Sequence, residues 1–256
     1  MTSDCANAIA EAAKLILASK HAIAFTGAGI SLESGIPTFR GSDGDNIWNK
    51  YDPNDIEIDH FNANPKKSWA TIKACFYYFM ADRDIKPNKG HKVLAELEQK
   101  GILKCIVTQN IDGLHQAAGS KNVYEFHGTT TSVSCQKCGH KYSASKVDFS
   151  QDVPTCPLCG GILKPDFVFF GEGIPSDALD GSFAEANAAD LCIVVGTSGV
   201  VMPAAMIPVC VKRNGGKVIE ISPERTEITR LADVFIQAGA VDAFSAIEKA
   251  IWPDKQ

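Results

Sequence analysis

The chain lacks any run of roughly 18 consecutive apolar residues, which excludes a membrane-spanning helix at the level of sequence. Its opening, MTSDCANAIA, lacks the basic and apolar regions of a secretory leader, so the expectation is a soluble, cytoplasmic protein. An excess of positive charge is missing too. With 25 Lys and Arg against 30 Asp and Glu, the formal charge is −5. That balance offers no global attraction to nucleic acid or to an anionic membrane surface. Internal repeats and low-complexity tracts are absent. A composition of 45% apolar and 21% charged residues excludes collagen, coiled coil and intrinsic disorder. What remains is a chain of 256 residues, suited to one large domain or to a core domain carrying smaller inserts.

Cysteine is what the chain has in unusual number. Nine is an odd count in a long chain, which speaks against a disulfide-stapled secreted scaffold. Cys5, Cys75, Cys105, Cys192 and Cys210 stand singly and read as small core hydrophobes. The other four form Cys135-x-x-Cys138 and Cys156-x-x-Cys159, with Gly139 and Gly160-Gly161 following where a knuckle needs backbone freedom. Two such turns complete a tetrahedral tetrathiolate site, pointing to one structural zinc, with a redox pair or an iron–sulfur centre as alternatives. Four thiolates close the site and leave no position for a catalytic water. Lys137, His140, Lys141, Lys146 and Lys164 lie nearby, but Asp148, Asp152 and Asp166 dilute their charge and no aromatics interleave. A solvated face, without direct nucleic-acid binding, is the expectation there.

Hydrophobic periodicity outlines the rest. Helices are expected over 5–19, 91–100, 203–213, 224–232 and 241–251, and buried strands over 21–26, 103–108, 191–195, 217–221 and 234–236. Continuous apolar strands alternating with helices imply a parallel sheet covered on both faces. Residues 40–90 break the pattern: polar, yet carrying Trp48, Trp69 and Phe76-Tyr-Tyr-Phe79, they read as a mostly helical insert with its own small core. The expected fold is therefore an α/β, Rossmann-like, doubly wound parallel sheet with a smaller domain. The core is assigned to 1–39, 91–130 and 165–256, the helical insert to 40–90 and a zinc ribbon to 131–164.

Polar clusters follow the strand ends, where open parallel sheets bind ligands. Gly27-Ala-Gly29 stands where a dinucleotide turn presents amides to phosphate, but Leu32 replaces the third glycine of the fingerprint and no ribose-binding acid follows. An ordinary tight turn explains it equally. Thr108-Gln-Asn-Ile-Asp112 and Gly196-Thr-Ser198 are either ligand contacts or helix caps. From the residues alone, His127 and His115 are equal candidates for a base.

In order along the chain, these motifs resemble the sirtuins, the NAD-dependent protein-lysine deacylases. The resemblance is carried by Thr26-Gly-Ala-Gly-Ile-Ser31, Glu33-Ser-Gly-Ile-Pro-Thr-Phe-Arg40, Thr108-Gln-Asn-Ile-Asp112 and Phe126-His-Gly128. It continues through the four cysteines, Lys164-Pro-Asp-Phe-Val-Phe-Phe-Gly-Glu172 and Val195-Gly-Thr-Ser198. It implies a cleft between the two domains that takes NAD and an acylated-lysine protein or peptide. Carried over motif by motif, Gly27, Ala28, Gly29, Glu33, Thr38 and Arg40 line the cofactor site, with Phe39 near the nicotinamide. Gln109 faces the nicotinamide ribose, and Asn110, Ile111 and Asp112 hold the carboxamide and position the reacting ring. Gly196, Thr197 and Ser198 contact the adenosine half, and Ser222, in Ile221-Ser-Pro-Glu, replaces a frequent Asn at its ribose. Val168, Phe170 and Gly171 form an edge strand gripping the acyl-lysine by β-augmentation.

The resemblance also implies the chemistry. The acyl oxygen attacks the nicotinamide ribose, and His127 acts as general base on a ribose hydroxyl. The products are nicotinamide, O-acyl-ADP-ribose and free lysine, with Asn110 and Asp112 completing the catalytic set. One departure bears on substrate choice. Sirtuins that remove acidic acyl groups carry Tyr-x-x-Arg, and this chain has Tyr77-x-x-Met80, whose thioether cannot neutralise a carboxylate. Neutral acyl groups, acetyl or longer, are expected, with Tyr77 at the substrate. The rival readings are mono-ADP-ribosyl transfer or NAD hydrolysis on the same scaffold, and a non-catalytic zinc-stabilised adaptor.

Overall fold

Five-residue runs such as Ala22-Ile-Ala-Phe-Thr26 and Leu191-Cys-Ile-Val-Val195 are rich in β-branched and apolar side chains that suit a strand buried on both faces. The computed structural model, which describes residues 3–39, 46–79 and 83–254, places them at the centre of a sheet. Strands β1 (Ala22–Thr26), β2 (Leu103–Thr108) and β3 (Val123–Glu125) lie on one side. With β7 (Leu191–Val195), β8 (Lys217–Ser222) and β9 (Val234–Gln237) they form a six-stranded parallel sheet of order β3-β2-β1-β7-β8-β9. Phe25 is in register with both Val107 and Val194, and Thr26 with both Thr108 and Val195, so the carboxyl ends of the three central strands finish level.

Side-chain alternation sends the strand residues into two apolar layers. Ala24, Ile106, Ile193 and Ile219 pack against helices α1 (Ser3–Ala18), α4 (Lys89–Gln99) and α8 (Ala240–Ile251) through Ile16, Leu94, Leu97, Phe244 and Ile247. Phe25, Cys105, Val107, Cys192 and Val194 face the other way, against α6 (Ser176–Ala188) and α7 (Met206–Arg213) through Ala186, Ile207 and Val211. Cys105, Cys192 and Cys75 are buried as expected. Cys5 and Cys210 are only half-buried: Cys210 faces the rim of α7, where its thiol donates to Asn187 Oδ1 at 3.0 Å.

A second, antiparallel sheet joins β4 (Gly128–Cys135), β5 (Lys141–Ser143) and β6 (Leu163–Phe167) in the order β5-β4-β6. Between β1 and α4 lie α2 (Ile58–Ala63), α3 (Pro65–Ile72) and a π-helical turn over Lys73–Tyr78 that prolongs α3. The core of this insert is not its own. Phe61, Trp69, Ile72 and Phe76 share one buried cluster with Val133, Leu163, Phe167 and Phe169 of the antiparallel sheet, and Trp69 Nε1 donates to Leu163 O at 2.9 Å. The insert and the ribbon each lack enough apolar surface alone and bury it together.

The expected helix over 224–232 is absent; these residues form turns. Threonine hydroxyls take the backbone groups a helix would use: Thr226 N donates to Thr229 Oγ1 at 2.8 Å, and Ile228 N to Thr226 Oγ1 at 3.0 Å. Thr226 Oγ1 in turn donates to Glu220 on β8. In the other direction, α6 was not expected from the apolar pattern. Its Gly181 sits against the Tyr124 ring, 2.3 Å from where a Cβ would reach.

Candidate active site

Sheet order reverses between β1 and β7, which leaves a crevice beyond the strand ends where ligands bind in open α/β sheets. Three turns converge there, after β1, β2 and β7. Gly27 N donates to Val195 O at 3.0 Å and Gly29 N to Gly196 O at 2.8 Å. A Cβ on Gly29 would lie 2.6 Å from Gly196 Cα, and Gly196 itself has φ +61°. These glycines let two turns touch. The Gly27 and Gly29 amides are consequently spent on the carbonyls of Val195 and Gly196, as in the tight-turn alternative the sequence left open.

Behind the turns lies a buried polar network. Ser31 Oγ donates to Asp112 Oδ2 at 2.7 Å and accepts from Asn110 Nδ2 at 3.1 Å; Asn110 also reaches Gly27 O at 3.2 Å. Leu114 N donates to Asp112 Oδ1 at 2.9 Å, so each carboxylate oxygen has a donor. Burial still raises the Asp112 pKa, the hydrogen bonds only partly offsetting it. His91 Nδ1 accepts from Asn88 N at 3.3 Å, which leaves Nε2–H facing Ser31 Oγ at 3.4 Å. His115 Nε2 meets Thr26 Oγ1 at 2.9 Å, and Thr26 donates onward to Thr108. Burial lowers His91 to about 4 and His115 to about 3, so both rings are neutral spacers. His115 is 1% exposed and unavailable as a base.

His127 is placed differently. Its Nδ1 lies 3.1 Å from Gln109 O, and a carbonyl only accepts, so Nδ1 carries the proton and Nε2 the lone pair. It is half-buried beside the crevice; desolvation lowers its pKa and the Gln109 bond opposes this. Gly128, at φ +70°, lets β4 close on β6: a Cβ there would lie 2.1 Å from Asp166 O. The next pairing, Val168 N to His127 O at 2.8 Å, sets the proposed base against the segment expected to grip substrate.

In front of the network opens a cleft, lined at its polar end by Ser31, Asn110 and Asp112 and elsewhere by Ala28, Phe39, Ile47, Phe76, Phe79 and Ile111. Thr130, also on its wall, donates to Ile111 O through both N and Oγ1. Among the described residues, no Lys or Arg lines it. Gln109 Nε2 donates to Thr197 Oγ1 at 2.9 Å, joining the turns after β2 and β7, and Ser198 O accepts from Glu227 N. Ser222 ends β8 in the same layer, and Thr38 O is tied to Ile47 N at 3.0 Å.

Other expected residues are not brought to the cleft. Glu33 accepts from Val241 N at 2.8 Å and so caps α8. Tyr77 stacks on Phe149, ring centroids 4.2 Å apart, and lines an adjoining cavity. Residues 168–171 are not a regular strand; Phe170 instead pairs with residues 56–58 through Phe170 N to Ile56 O and Ile58 N to Phe170 O, each 3.0 Å. Arg40 and Met80 lie outside the described residues. The network roles of Ser31, His91 and Thr108 were not expected, although Ser31 and Thr108 both stand in stretches that carry the resemblance.

The four ribbon cysteines converge. All four Sγ atoms lie within 4.8 Å of one another, with Cys135–Cys159 at 3.5 Å and Cys138–Cys156 at 3.8 Å. Tetrahedral zinc with bonds of about 2.3 Å needs sulfurs about 3.8 Å apart, so the donor set fits. Gly139 and Gly160, at φ +70° and +69°, turn the two knuckles. A hydrogen bond between the Tyr142 hydroxyl and Cys156 Sγ, 3.1 Å, lowers the Cys156 thiol to about 6 and favours the ligating thiolate. Of the nearby basic residues, Lys141 pairs with Asp166 at 3.1 Å. Lys164, expected on a solvated face, is buried.

Known proteins match this arrangement. The Sir2 family model matches residues 27–203. A protein of Pyrococcus abyssi named NAD-dependent protein deacylase is 46% identical over 240 residues, 91% of this chain and 93% of that one. A solved Sir2 with p53 peptide and NAD+ superposes with a TM-score of 0.84 at 37% identity, covering 93% of this chain and 96% of the other. A Sir2 variant with deacetylated p53 peptide and 3′-O-acetyl-ADP-ribose gives 0.87, also at 37% identity and the same coverage. With the crevice, the buried network and the tetrathiolate site, these matches establish that the chain belongs to the Sir2 family.

Proposed function

We propose that this protein is an NAD-dependent protein-lysine deacylase that takes neutral acyl groups and yields nicotinamide, O-acyl-ADP-ribose and free lysine. The observation that carries the reading is the placement of His127. Its ring is fixed by Gln109 O, its Nε2 lone pair is free to accept a proton, and its backbone holds the Val168–Gly171 segment. The reading draws support from relatives named as deacylases and from Sir2 structures holding NAD+, peptide and an acetylated ADP-ribose product.

NAD supplies an electrophilic ribose carbon with nicotinamide as leaving group. The chain's residues orient and shelter it. Asn110 and Asp112, held by Ser31, offer hydrogen-bonding groups to a carboxamide at the polar end of the cleft, while Phe39, Ile111 and Phe76 exclude water. Thr197, Ser198 and Ser222 line the path toward the adenosine half, and Gln109 faces the nicotinamide ribose. His127 accepts a proton from a ribose hydroxyl at Nε2 and remains a neutral base at neutral pH because burial opposes its charging. Residues 168–171 receive the peptide backbone. Among the described residues no Lys or Arg lines the cleft, and Tyr77-x-x-Met80 supplies no guanidinium for an acidic acyl group, which favours acetyl and longer neutral chains. Tyr77 packs the neighbouring wall. The two sheets and their partner elements form the large and small domains that flank the cleft, with one structural zinc in the smaller. Nine cysteines without a disulfide fit a reducing, cytoplasmic compartment, and no helix of the described residues is long and apolar enough to cross a membrane.

The test is nicotinamide release from NAD over acetyl-, myristoyl-, succinyl- and unmodified-lysine peptides, with His127→Ala alongside. Release that requires a neutral acyl-lysine and is lost in the variant is expected. Strong succinyl turnover would overturn the acyl preference; release without any peptide would favour NAD hydrolysis.

A further inference from the structure

The stretch Lys164-Pro-Asp-Phe-Val-Phe-Phe-Gly-Glu172 enters the proposed function only through its middle, Val168 to Gly171. Its two ends are opposite in charge, and they meet. Lys164, on β6, is 6% exposed, and its ammonium lies 2.9 Å from Glu172 Oε2. It also donates to Pro165 O at 3.0 Å and to Phe167 O at 3.2 Å. Three acceptors are the full capacity of an ammonium group. The same charge sits 4.2 Å from the centroid of the Phe169 ring.

Glu172 completes the circuit. Its Oε2 accepts from Phe169 N at 2.8 Å, and its own amide donates to Phe169 O at 3.0 Å. The chain from 164 to 172 therefore closes on itself through one ion pair, while Val168 N is tied to His127 and Phe170 to residues 56–58. Burial lowers the Lys164 pKa and Glu172 opposes this, as for a charge kept only because a partner is present. Lys164 is buried and the Glu172 side chain is 25% exposed; an ion pair that is partly desolvated contributes little net stability, so its use here is better sought in fixing one conformation.

We propose that Lys164 and Glu172 are positioning residues, an ion-pair strap that holds residues 168–171 in the shape that accepts an acyl-lysine peptide. The identity of that ligand rests on the deacylase reading; the strap itself does not.

The test compares Glu172→Gln, Lys164→Met and the double variant with Lys164→Arg, which keeps the charge. Amide hydrogen exchange in the free protein reads the strap without substrate. Exchange at Phe169 and Glu172 is expected to rise about tenfold in the charge-removing variants, with recovery in Lys164→Arg. In steady-state assays KM for an acetyl-lysine peptide should rise about tenfold, while KM for NAD and kcat at saturating peptide stay within about twofold. Unchanged exchange at both amides, or equal rises in KM for peptide and NAD, would overturn the proposal. A wild-type protein that ignores acyl-lysine peptide while its variants still show the faster exchange would sink the deacylase reading and leave the strap standing.

Discussion

The two sheets of this molecule solve the same problem with different means. Each sheet ends on a three-residue edge strand, β3 in one and β5 in the other, but the centres differ. The central strands β1, β2 and β7 of the parallel sheet have five or six residues, and helices supply apolar partners on both faces. The antiparallel sheet leans instead on a shared aromatic cluster and four cysteines. The lesson lies in where the polar chemistry sits. A sheet with ample apolar burial can tolerate a buried network of Thr26, Thr108, His115, His91 and Ser31 at its carboxyl edge. The smaller sheet has no such margin and places its chemistry in a metal site. The cleft takes one wall from the turns after β1 and β2 and the other from the insert, through Cys75, Phe76 and Phe79, with Thr130 of β4 between them.

Metal removal should break the comparison most sharply. Structural zinc sites in small modules contribute about 10–16 kcal/mol of apparent binding energy. Chelation, or Cys156→Ser, is expected to unfold the ribbon and abolish deacylation while most far-UV circular dichroism from the parallel sheet and its helices persists. Loss of all secondary structure together would contradict the division. Next in size, His127→Ala should lower kcat/KM by about 10²–10⁴ with zinc content and thermal midpoint retained.

Matched core truncations sharpen the contrast. Trp69→Ala and Phe244→Ala should each cost about 3–5 kcal/mol in denaturant unfolding, since both side chains are fully buried. Only Trp69→Ala should also accelerate zinc release to a chelator, because Trp69 shares its cluster with Cys135 and Cys156. Equal zinc release from both variants would erase the distinction. The smallest effect is in pH. His91 and His115 are held neutral with folded-state pKa values of about 4 and 3, below the ordinary 6.5. Below 6.5 the unfolded chain binds protons that the folded one refuses. Stability from each is therefore complete above 6.5 and lost at about 1.4 kcal/mol per unit as pH falls toward the folded value. Urea midpoints of the parallel-sheet transition between pH 7 and 5 should show this slope, and His115→Asn should reduce it.

The sequence was most legible where one cause acts alone. Continuous apolar runs marked β2 and β7 at their observed bounds, and the paired Cys-x-x-Cys spacing marked the zinc ligands. It was least legible where distant residues compete for the same groups. Thr226 and Thr229 have tolerable helix patterning, but their hydroxyls and Glu220 convert 224–232 to turns. The glycines after β1 stand where a dinucleotide turn would, yet carbonyls far along the chain take up their amides, Val195 O that of Gly27 and Gly196 O that of Gly29. Glu33 lies within a cofactor-like motif and caps α8. Lys164 reads as a surface charge until Glu172 folds back on it. At the site, the family resemblance pointed to Asn110, Asp112 and His127, where the residues alone left His115 an equal candidate; neither indicated the Ser31 hydroxyl that links Asn110 to Asp112, nor the carbonyl of Gln109 that fixes the tautomer of His127.

The measurement that bears most directly on the account is mass-spectrometric stoichiometry of one reaction: wild-type protein, NAD and an acetyl-lysine peptide. The account predicts nicotinamide, O-acetyl-ADP-ribose and deacetylated peptide in equal amounts, formed about 10²–10⁴ times more slowly with His127→Ala. Free ADP-ribose and nicotinamide accumulating beside intact acetyl-lysine peptide would contradict it.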